Sequence, residues 1–149
     1  MSEKRLDDSR MSHLLGFAIA RARVGTNEAY FTHVGEPLGL KPVDFTLLML
    51  LSRNDQVTQK DLVQALNIPA PHMTLIIARL LERGLVARER SSVDRRAQVL
   101  ELTESGRTLA EQAHAASLQA EAPLRARLSP AEWAMLMELL HKCGAAGRP

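Results

Sequence analysis

Arginine is concentrated in one stretch of this chain, and that stretch is the clearest sign of chemistry in the sequence. Between residues 79 and 96 six arginines stand against three acidic residues, which leaves a local charge of +3. The whole chain has a formal net charge of only +2, so its positive charge is gathered in this segment. Guanidinium groups at this density suit the phosphates of nucleic acid. The arginines alone do not distinguish that function from a merely solvated surface.

The histidines and the single cysteine do not form a metal-binding or catalytic motif. His141 and Cys143 are two residues apart on a predicted helix, so they do not share a face, and the other histidines are scattered. The sequence also lacks a glycine-rich phosphate loop, a nucleophile–base pair and a suitable carboxylate pair. We therefore expect no enzymatic activity, no cofactor and no metal site. Cys143 falls at the apolar spacing of its helix, which predicts a buried, unreactive thiol.

The composition is that of one globular, mainly α-helical domain spanning residues 1–149. Hydrophobic residues make up 46% and aromatic residues only 3%, a balance that favours helices over sheet. A single cysteine excludes an internal disulfide framework. The charged N-terminus lacks the apolar run of a signal peptide, and no segment has the roughly 18 to 20 apolar residues of a membrane span. We expect a cytoplasmic protein without membrane contact.

Apolar periodicity and capping residues divide the first half of the chain into four helices. Pro42 suits the first position of a helix, after a break at 35–41 that contains two glycines and a proline. Thr58, with Asp61 three residues later, resembles a capping box. Gly84 provides a natural helix stop. The predicted helices cover 9–33, 42–51, 58–66 and 70–83.

The second half begins with a hairpin and ends with two long helices. Strand-like runs at 85–90 and 97–102 flank a polar, charged loop, a pattern typical of a β-hairpin. Thr103 caps an alanine-rich helix that we expect to bend or stop at Pro123. The proline and glutamate of Ser129–Glu132 then start the last helix.

Two short helices joined by a tight turn and followed by a hairpin predict a winged helix-turn-helix. A helix of this size fits the major groove of B-DNA, which is about 12 Å wide, and the hairpin can reach the neighbouring minor groove. The arginine-rich segment covers the end of the second short helix and the hairpin, so the pattern favours DNA binding. A protein-docking module is an alternative, because fold does not dictate function.

The sequence resembles the multiple antibiotic resistance regulator (MarR) family of bacterial transcription regulators over nearly its whole length. The resemblance is carried by an ordered set of segments and not by any one of them. These segments are Thr58-Gln59-Lys60-Asp61-Leu62, Leu80-Leu81-Glu82-Arg83-Gly84-Leu85-Val86, Asp94-Arg95-Arg96, Leu102-Thr103-Glu104-Ser105-Gly106 and Leu128-Ser129-Pro130-Ala131-Glu132-Trp133.

The resemblance implies a homodimer that binds double-stranded DNA. Residues 8–35 and 104–146 would form intertwined N- and C-terminal dimerisation helices, and residues 38–102 would form the DNA-binding lobe with its two-stranded β wing. Two lobes would bind a pseudo-palindromic operator.

The resemblance also assigns roles in the wing. The family's wing arginine, which enters the minor groove, falls on Arg96, with Asp94 steadying the loop and Arg95 contacting phosphate. Narrow, A·T-rich minor grooves attract arginine through their negative potential.

The recognition helix is less polar than is common in the family. His72 and Thr74 can hydrogen-bond base edges, whereas Ala70 or Leu75 could touch a thymine methyl group. The candidate DNA-binding residues are Thr58, Gln59, Ala70, Pro71, His72, Thr74, Leu75, Arg79, Arg88, Asp94, Arg95 and Arg96.

Family members commonly bind small aromatic or anionic effectors in a cleft between the dimerisation helices and the winged lobe. Here that cleft would be formed by the first helix, the second helix and the start of the long fifth helix. An arginine there could hold a carboxylate or a phosphate of a larger thioester. The candidate ligand-binding residues are His13, Phe17, Arg21, Arg23, His33, Phe45 and Met49.

The sequence thus predicts a sequence-specific transcriptional regulator, a repressor released by a small aromatic or anionic effector. One alternative is an architectural DNA binder that responds to no ligand. Another is a metal-responsive regulator, since histidines from different helices could meet in space.

Overall fold

The computed structural model describes residues 6–94 and 96–145, and its first helical segment begins six residues later and ends five residues later than the predicted 9–33. Helix α1 covers Leu15–Tyr30 and continues through a π-helical turn, Phe31–Gly35, into a short α2, Glu36–Leu38. The predicted break at Gly35 is wrong, because that glycine is buried beneath the rings of Tyr30 and Phe31. The chain turns at Gly39 instead, whose φ of +61° is a left-handed conformation suited to glycine.

Helix α3, Pro42–Arg53, lies at the centre of the core. Pro42 occupies its first turn as predicted, and Leu47, Leu48 and Leu51 are buried. Asp44 is the exception among these buried side chains, with 1% of its surface exposed. A carboxylate at that depth requires a partner.

Helices α4, Gln59–Leu66, and α5, Ala70–Glu82, form the predicted helix-turn-helix. The capping box between Thr58 and Asp61 is present at the start of α4. Asn67, with φ of +51°, makes the turn between the helices, and Gly84, with φ of +66°, follows the end of α5. The core side chains from the two helices are Leu62, Met73, Ile76, Ile77 and Leu80.

The hairpin follows α5 closely, and its strands lie within a residue of the predicted ends. Strand β1, Val86–Arg90, pairs antiparallel with β2, Gln98–Leu102, so that Val86 lies opposite Leu102. Leu100 also forms an isolated bridge with Val57, which joins the hairpin to the segment before α4. The mainly α winged helix-turn-helix expected from the sequence is confirmed, and the hairpin with its loop at 91–97 is its wing.

The long helix α6, Glu104–Arg125, packs against α3, the π-helical turn and α1. Small residues, including Ala110 and Ala113, form its buried face and permit this close approach. The expected interruption at Pro123 does not occur. That proline lies in the last turn, where the helix ends two residues later, so the missing N–H disturbs little.

The last helix, α7, Pro130–Ala145, starts at the predicted Ser129–Glu132 segment. The expectation of a buried Cys143 is wrong for the single chain, because the thiol is exposed along with its apolar neighbours Leu136 and Leu140. Within the described part of the chain, no helix is long and apolar enough to cross a membrane.

Gly106 lies where the start of α6 meets the chain between α5 and β1, and this close contact accounts for the glycine in the Leu102–Gly106 segment. Thr103 caps α6 by accepting a hydrogen bond from the Gly106 N–H at 3.0 Å, and its hydroxyl donates to the Gly84 carbonyl at 2.7 Å. A Cβ at Gly106 would overlap the Leu85 carbonyl oxygen.

We expect Gly106→Ala to lower the free energy of unfolding by about 2 to 3 kcal/mol, because backbone must move to admit the methyl group. Denaturant titration at fixed protein concentration measures the effect. The control is Gly16→Ala, where a Cβ meets nothing within 4 Å. Unfolding of Gly106→Ala at the wild-type denaturant concentration would contradict the packing described.

Candidate nucleic-acid interface and effector groove

One face of α5 is open to solvent while the opposite face is embedded in the core. Met73, Ile76 and Ile77 are at most 1% exposed. The five positions predicted to face DNA are all exposed, as expected: Ala70, Pro71, His72, Thr74 and Leu75. The helix-turn-helix therefore presents the first turns of α5 outward.

Gln59 and Thr74, both predicted site residues, are joined across the two helices. The side-chain amide of Gln59 donates from Nε2 to Thr74 Oγ1 at 2.8 Å. The Thr74 hydroxyl in turn donates to the Ala70 carbonyl at 3.0 Å. The hydroxyl that could read a base is thus already engaged within the protein.

Thr58 serves the helix that carries Gln59. Its hydroxyl donates to Asp61 Oδ2 at 2.7 Å, and its backbone N–H donates to the same oxygen at 2.8 Å. These hydrogen bonds lower the pKa of Asp61 below its ordinary value. The carboxylate stays charged at the N-terminus of α4, where the helix dipole also favours it.

Arg79, predicted to contact DNA, pairs with a buried carboxylate in the single chain. Its Nη2 forms an ion pair with Oδ1 of Asp44, while the Arg79 side chain remains 32% exposed. Asp44 Oδ2 also accepts from the Lys41 N–H at 3.3 Å. The buried Nε of Arg79 has no hydrogen-bond partner among residues 6–94 and 96–145. The charge of Arg79 therefore compensates a buried carboxylate.

The surroundings of this ion pair connect it to the first helical segment. Arg83 donates from Nη1 to the Gly39 carbonyl at 2.8 Å, a second link from α5 to the turn before α3. The Tyr30 hydroxyl donates to the Leu40 carbonyl at 3.0 Å. Burial, and to a smaller extent the negative charge of Asp44, raise the pKa of Tyr30 to about 12. Tyr30 consequently remains a hydrogen-bond donor at neutral pH.

The wing places Arg96 on an ordered turn. Asp94 Oδ1 accepts from the Arg96 N–H at 3.0 Å, and the Asp94 carbonyl accepts from Ala97 at 2.9 Å. The side chains of Arg88 and Arg96 are exposed, and Arg88 donates to Gln98 across the strands at 3.4 Å. Arg95, also predicted to contact DNA, lies outside the described residues.

Gln56, which sequence reasoning missed, fixes the base of the wing. Its Oε1 accepts from the Ser91 hydroxyl at 2.7 Å and from the Ser92 N–H at 2.9 Å. Ser91 is itself buried, and its Oγ accepts the N–H groups of Val93 and Asp94 at 3.1 Å. Ser91 and Ser92 are 35 and 36 residues from Gln56 in sequence, so no local pattern indicates them.

A groove of about 770 Å³ opens between the C-terminal half of α3, β2 and the start of α6. Its apolar wall includes Phe45, Met49 and Leu100, and its charged rim includes Arg53 and Arg107. We call this the effector groove, as it is the candidate ligand site of the chain. Its full lining is Phe45, Met49, Leu51, Ser52, Arg53, Asn54, Asp55, Leu100, Glu101, Leu102, Arg107, Ala110, Glu111 and His114.

Of the predicted ligand residues, Phe45 and Met49 line this groove. The other five are absent from the groove lining among the residues that the structure describes. Arg21 pairs with Asp8 at 2.6 Å and lies over the Phe17 ring, while His33 Nδ1 is 2.9 Å from the Ala29 carbonyl oxygen. His13 and Arg23 are exposed on or just before α1.

Arg53, Arg107 and His114 were not anticipated as groove residues. Arg53 comes from the end of α3 and the other two from the first half of α6, and only the packing of α6 against α3 brings them together. In the described residues, no three His, Cys, Asp or Glu side chains cluster closely enough to hold a metal ion.

Comparison with known proteins gives three consistent findings. The MarR family profile matches residues 38–97, which span the helix-turn-helix and most of the wing. An HTH-type transcriptional repressor of Mycobacterium tuberculosis is 29% identical over 139 residues, covering 93% of this chain and 96% of its own length.

Two solved structures of the transcriptional repressor CouR are similar to this chain over 95% of its length. CouR bound to a 23-mer DNA duplex is 30% identical, with a TM-score of 0.86, covering 95% of this chain and 99% of its own. CouR bound to p-coumaroyl-CoA is 29% identical, with a TM-score of 0.83, and the match covers 95% of this chain and 98% of the CouR chain.

The Asp44–Arg79 ion pair gives a direct prediction. Asp44→Ala should lower the free energy of unfolding by about 3 kcal/mol, because it leaves a half-buried guanidinium unpaired. Denaturant titration of Asp44→Ala, Arg79→Ala and the double variant measures the interaction energy between the two side chains. That energy is thereby distinguished from the other stability losses at each site. Strictly additive losses in this double-mutant cycle would mean that the two charges do not stabilise each other.

Proposed function

Because the chain belongs to the MarR family of transcription regulators, we propose that it represses transcription as a dimer on operator DNA and is released by a small-molecule effector. Its curated relatives are transcriptional regulators. The observation that carries the DNA-binding part is the pairing of an outward-facing α5 with a wing that holds Arg96 exposed beside it. CouR, similar over 95% of this chain, binds a DNA duplex.

DNA contact is proposed to divide between the two parts of the lobe at 38–102. The exposed residues at the start of α5 enter the major groove, and Gln59 from α4 stands beside them. Arg96 enters the neighbouring minor groove, while Arg88 and Arg95 contact phosphates. Thr58 and Asp94 act by holding the backbone that presents Gln59 and Arg96.

The dimer is proposed from exposed apolar surface on the terminal helices. None of the sixteen residues of α1, all of which the structure describes, is buried in the single chain. An isolated helix of this length is marginal in water, so it needs a packed face. Leu15 and Ile19 on α1 and Leu136 and Leu140 on α7 are 39–55% exposed. A second copy, packed through residues 8–35 and 104–146, would cover this surface.

The two-fold symmetry of such a dimer sets the form of the operator. Two recognition helices read a pseudo-palindrome when they lie one helical turn of DNA apart, roughly 34 Å. Any change that alters the spacing of the lobes lowers affinity for both half-sites at once.

We propose an aromatic acyl thioester as the effector class. CouR has been solved with p-coumaroyl-CoA. In this chain the effector groove offers Phe45 and Met49 as apolar contacts for an aromatic acyl group. Arg53 and Arg107 on its rim suit the phosphates of the coenzyme portion.

Release follows from linkage between the two sites. Helices α3 and α6 form the groove, and α6 also leads into the proposed dimer interface, so an occupied groove can favour another lobe spacing. A ligand that prefers that spacing weakens DNA binding, and DNA weakens ligand binding by the same factor.

The test is binding of the purified protein to the DNA upstream of its own gene, over a salt series and against scrambled competitor. Tight binding that survives competitor and falls with salt supports a sequence-specific repressor. Equal displacement by scrambled DNA would favour the architectural alternative instead.

The effector is then tested on the same complex with p-coumaroyl-CoA, p-coumarate and coenzyme A as separate additions. Release by the thioester alone supports the proposed class. Release by p-coumarate alone would replace it with aromatic acids, and DNA binding that depends on added zinc would favour the metal-responsive alternative.

Arg96→Ala should weaken operator binding by about 10- to 100-fold at a given salt concentration, because each half-site loses its minor-groove contact. It should also reduce the salt dependence. Fluorescence anisotropy with a labelled duplex measures both. The matched control is Arg107→Ala, which should retain operator affinity and respond less to the thioester. Unchanged affinity in Arg96→Ala would refute the role of the wing.

Leu136→Asp should convert the dimer to monomers, because it buries a charge in the proposed interface. Light scattering at several protein concentrations measures the mass. Leu75→Asp is the control, since Leu75 is an exposed leucine on the DNA face and not at the interface. If Leu136→Asp has the mass of a dimer at the same protein concentrations as the wild type, this part of α7 is not in the interface.

A further inference from the structure

The outward face of α5 carries an apolar stripe along the first nine residues of the helix. Pro71, Thr74, Leu75 and Ala78 follow one another at helical spacing, and all four are exposed. Leu75 is 67% exposed, the largest apolar side chain of the helix to face solvent. We call these four residues the outer stripe. A stripe with no charged member is an unusual surface for a helix that approaches phosphates.

Thr74 adds to the apolar character of this stripe. Its hydroxyl donates to the Ala70 carbonyl at 3.0 Å and accepts from Gln59 at 2.8 Å. The hydroxyl proton is therefore used inside the protein, and the methyl group is the apolar part of Thr74 left for a ligand. Gln59 is then the neighbouring side chain that can hydrogen-bond a base, because it retains one amide N–H and its Oε1.

We infer that the outer stripe recognises thymine methyl groups in the major groove, with Leu75 as the main contact, and that Thr74 positions Gln59 instead of reading a base itself. This inference rests on the proposed DNA-binding function and specifies the base pairs that it selects.

The chemistry of the major groove supports this choice of base pair. Thymine alone presents a methyl group there, the one apolar feature among the four bases. Its partner adenine presents an N6 donor and an N7 acceptor, which a glutamine amide matches with its oxygen and one N–H. The stripe and the remaining groups of Gln59 therefore both select A·T pairs.

The surrounding charge supports DNA over a protein partner as the occupant of the stripe. The wing that follows α5 carries exposed Arg88 and Arg96, and Lys60 is exposed on α4 beside Gln59. Cations that border an apolar stripe suit a groove lined on both sides by phosphates.

The first experiment selects duplexes from a randomised pool with the wild-type chain, then replaces each enriched thymine by uracil, which deletes only the methyl group. We expect at least one such replacement per half-site to weaken wild-type binding about three- to fivefold, the factor for one buried methyl group. Leu75→Ala should bind the thymine and uracil duplexes equally at that position.

Leu6→Ala is the matched control, because Leu6 is 77% exposed and far from the helix-turn-helix in sequence. It should keep the full thymine preference. Thermal unfolding of Leu75→Ala should match the wild type, since little of the side chain is buried.

Two variants of Thr74 distinguish the role of its hydroxyl from that of its methyl group. Thr74→Val keeps the shape but removes the hydroxyl that holds Gln59, so it should lose adenine preference at the Gln59 position while keeping the sensitivity to uracil. Thr74→Ser keeps the hydroxyl and should retain the adenine preference. An adenine preference that survives in Thr74→Val would overturn the positioning role.

The outcomes distinguish this inference from the proposed function. A pool with no enriched sequence would refute sequence-specific binding itself. Enrichment with no response to uracil would leave the regulator intact and overturn the thymine contact. A change of mass in Leu75→Ala, together with no response to uracil, would assign the stripe to a protein interface.

Discussion

The ion pair between Asp44 and Arg79 joins α5, the helix proposed to enter the major groove, to α3, which lines the effector groove. Asp44 is almost fully buried in α3, and Arg79 is the charge that makes this burial tolerable. Arg83 adds a second link from α5 to the turn at Gly39. The recognition helix is thus held to α3 by charge as well as by packing. A shift of α3 at the groove must move α5 with it or break a buried pair.

The wing is held by a separate set of contacts, so the two DNA-facing parts have different supports. Gln56 binds the base of the wing loop through Ser91 and Ser92, and Val57 bridges to β2 at Leu100. Both anchors lie in the short segment between α3 and α4. Because Leu100 also lines the effector groove, that segment and β2 connect the groove to the wing. Helix α5 and the wing are therefore coupled to the same groove by independent routes.

Local rules predicted the features that depend on neighbours in sequence. The capping box of Thr58 and Asp61, the stop at Gly84 and the strand ends follow from residue types a few positions apart. The pairing of Arg79 with Asp44 and of Gln56 with Ser91 could not be predicted this way. The two residues of each pair are 35 positions apart, and only the packing of the folded chain brings them together. Gly35 shows the same limit: glycine permits a break, but two aromatic rings over its missing side chain keep it helical.

The terminal helices leave apolar surface uncovered in the single chain. Helix α1 buries none of its described residues, yet it passes through the π-helical turn into the segment that Arg83 contacts. Any partner that covers α1 therefore fixes the position of that segment, and through it the recognition helix. In a two-fold dimer the same contacts act on both lobes, so the distance between recognition helices depends on how α1 and α7 are packed. An effector bound between α3 and α6 would act on helices that connect this packing to the DNA-facing surface.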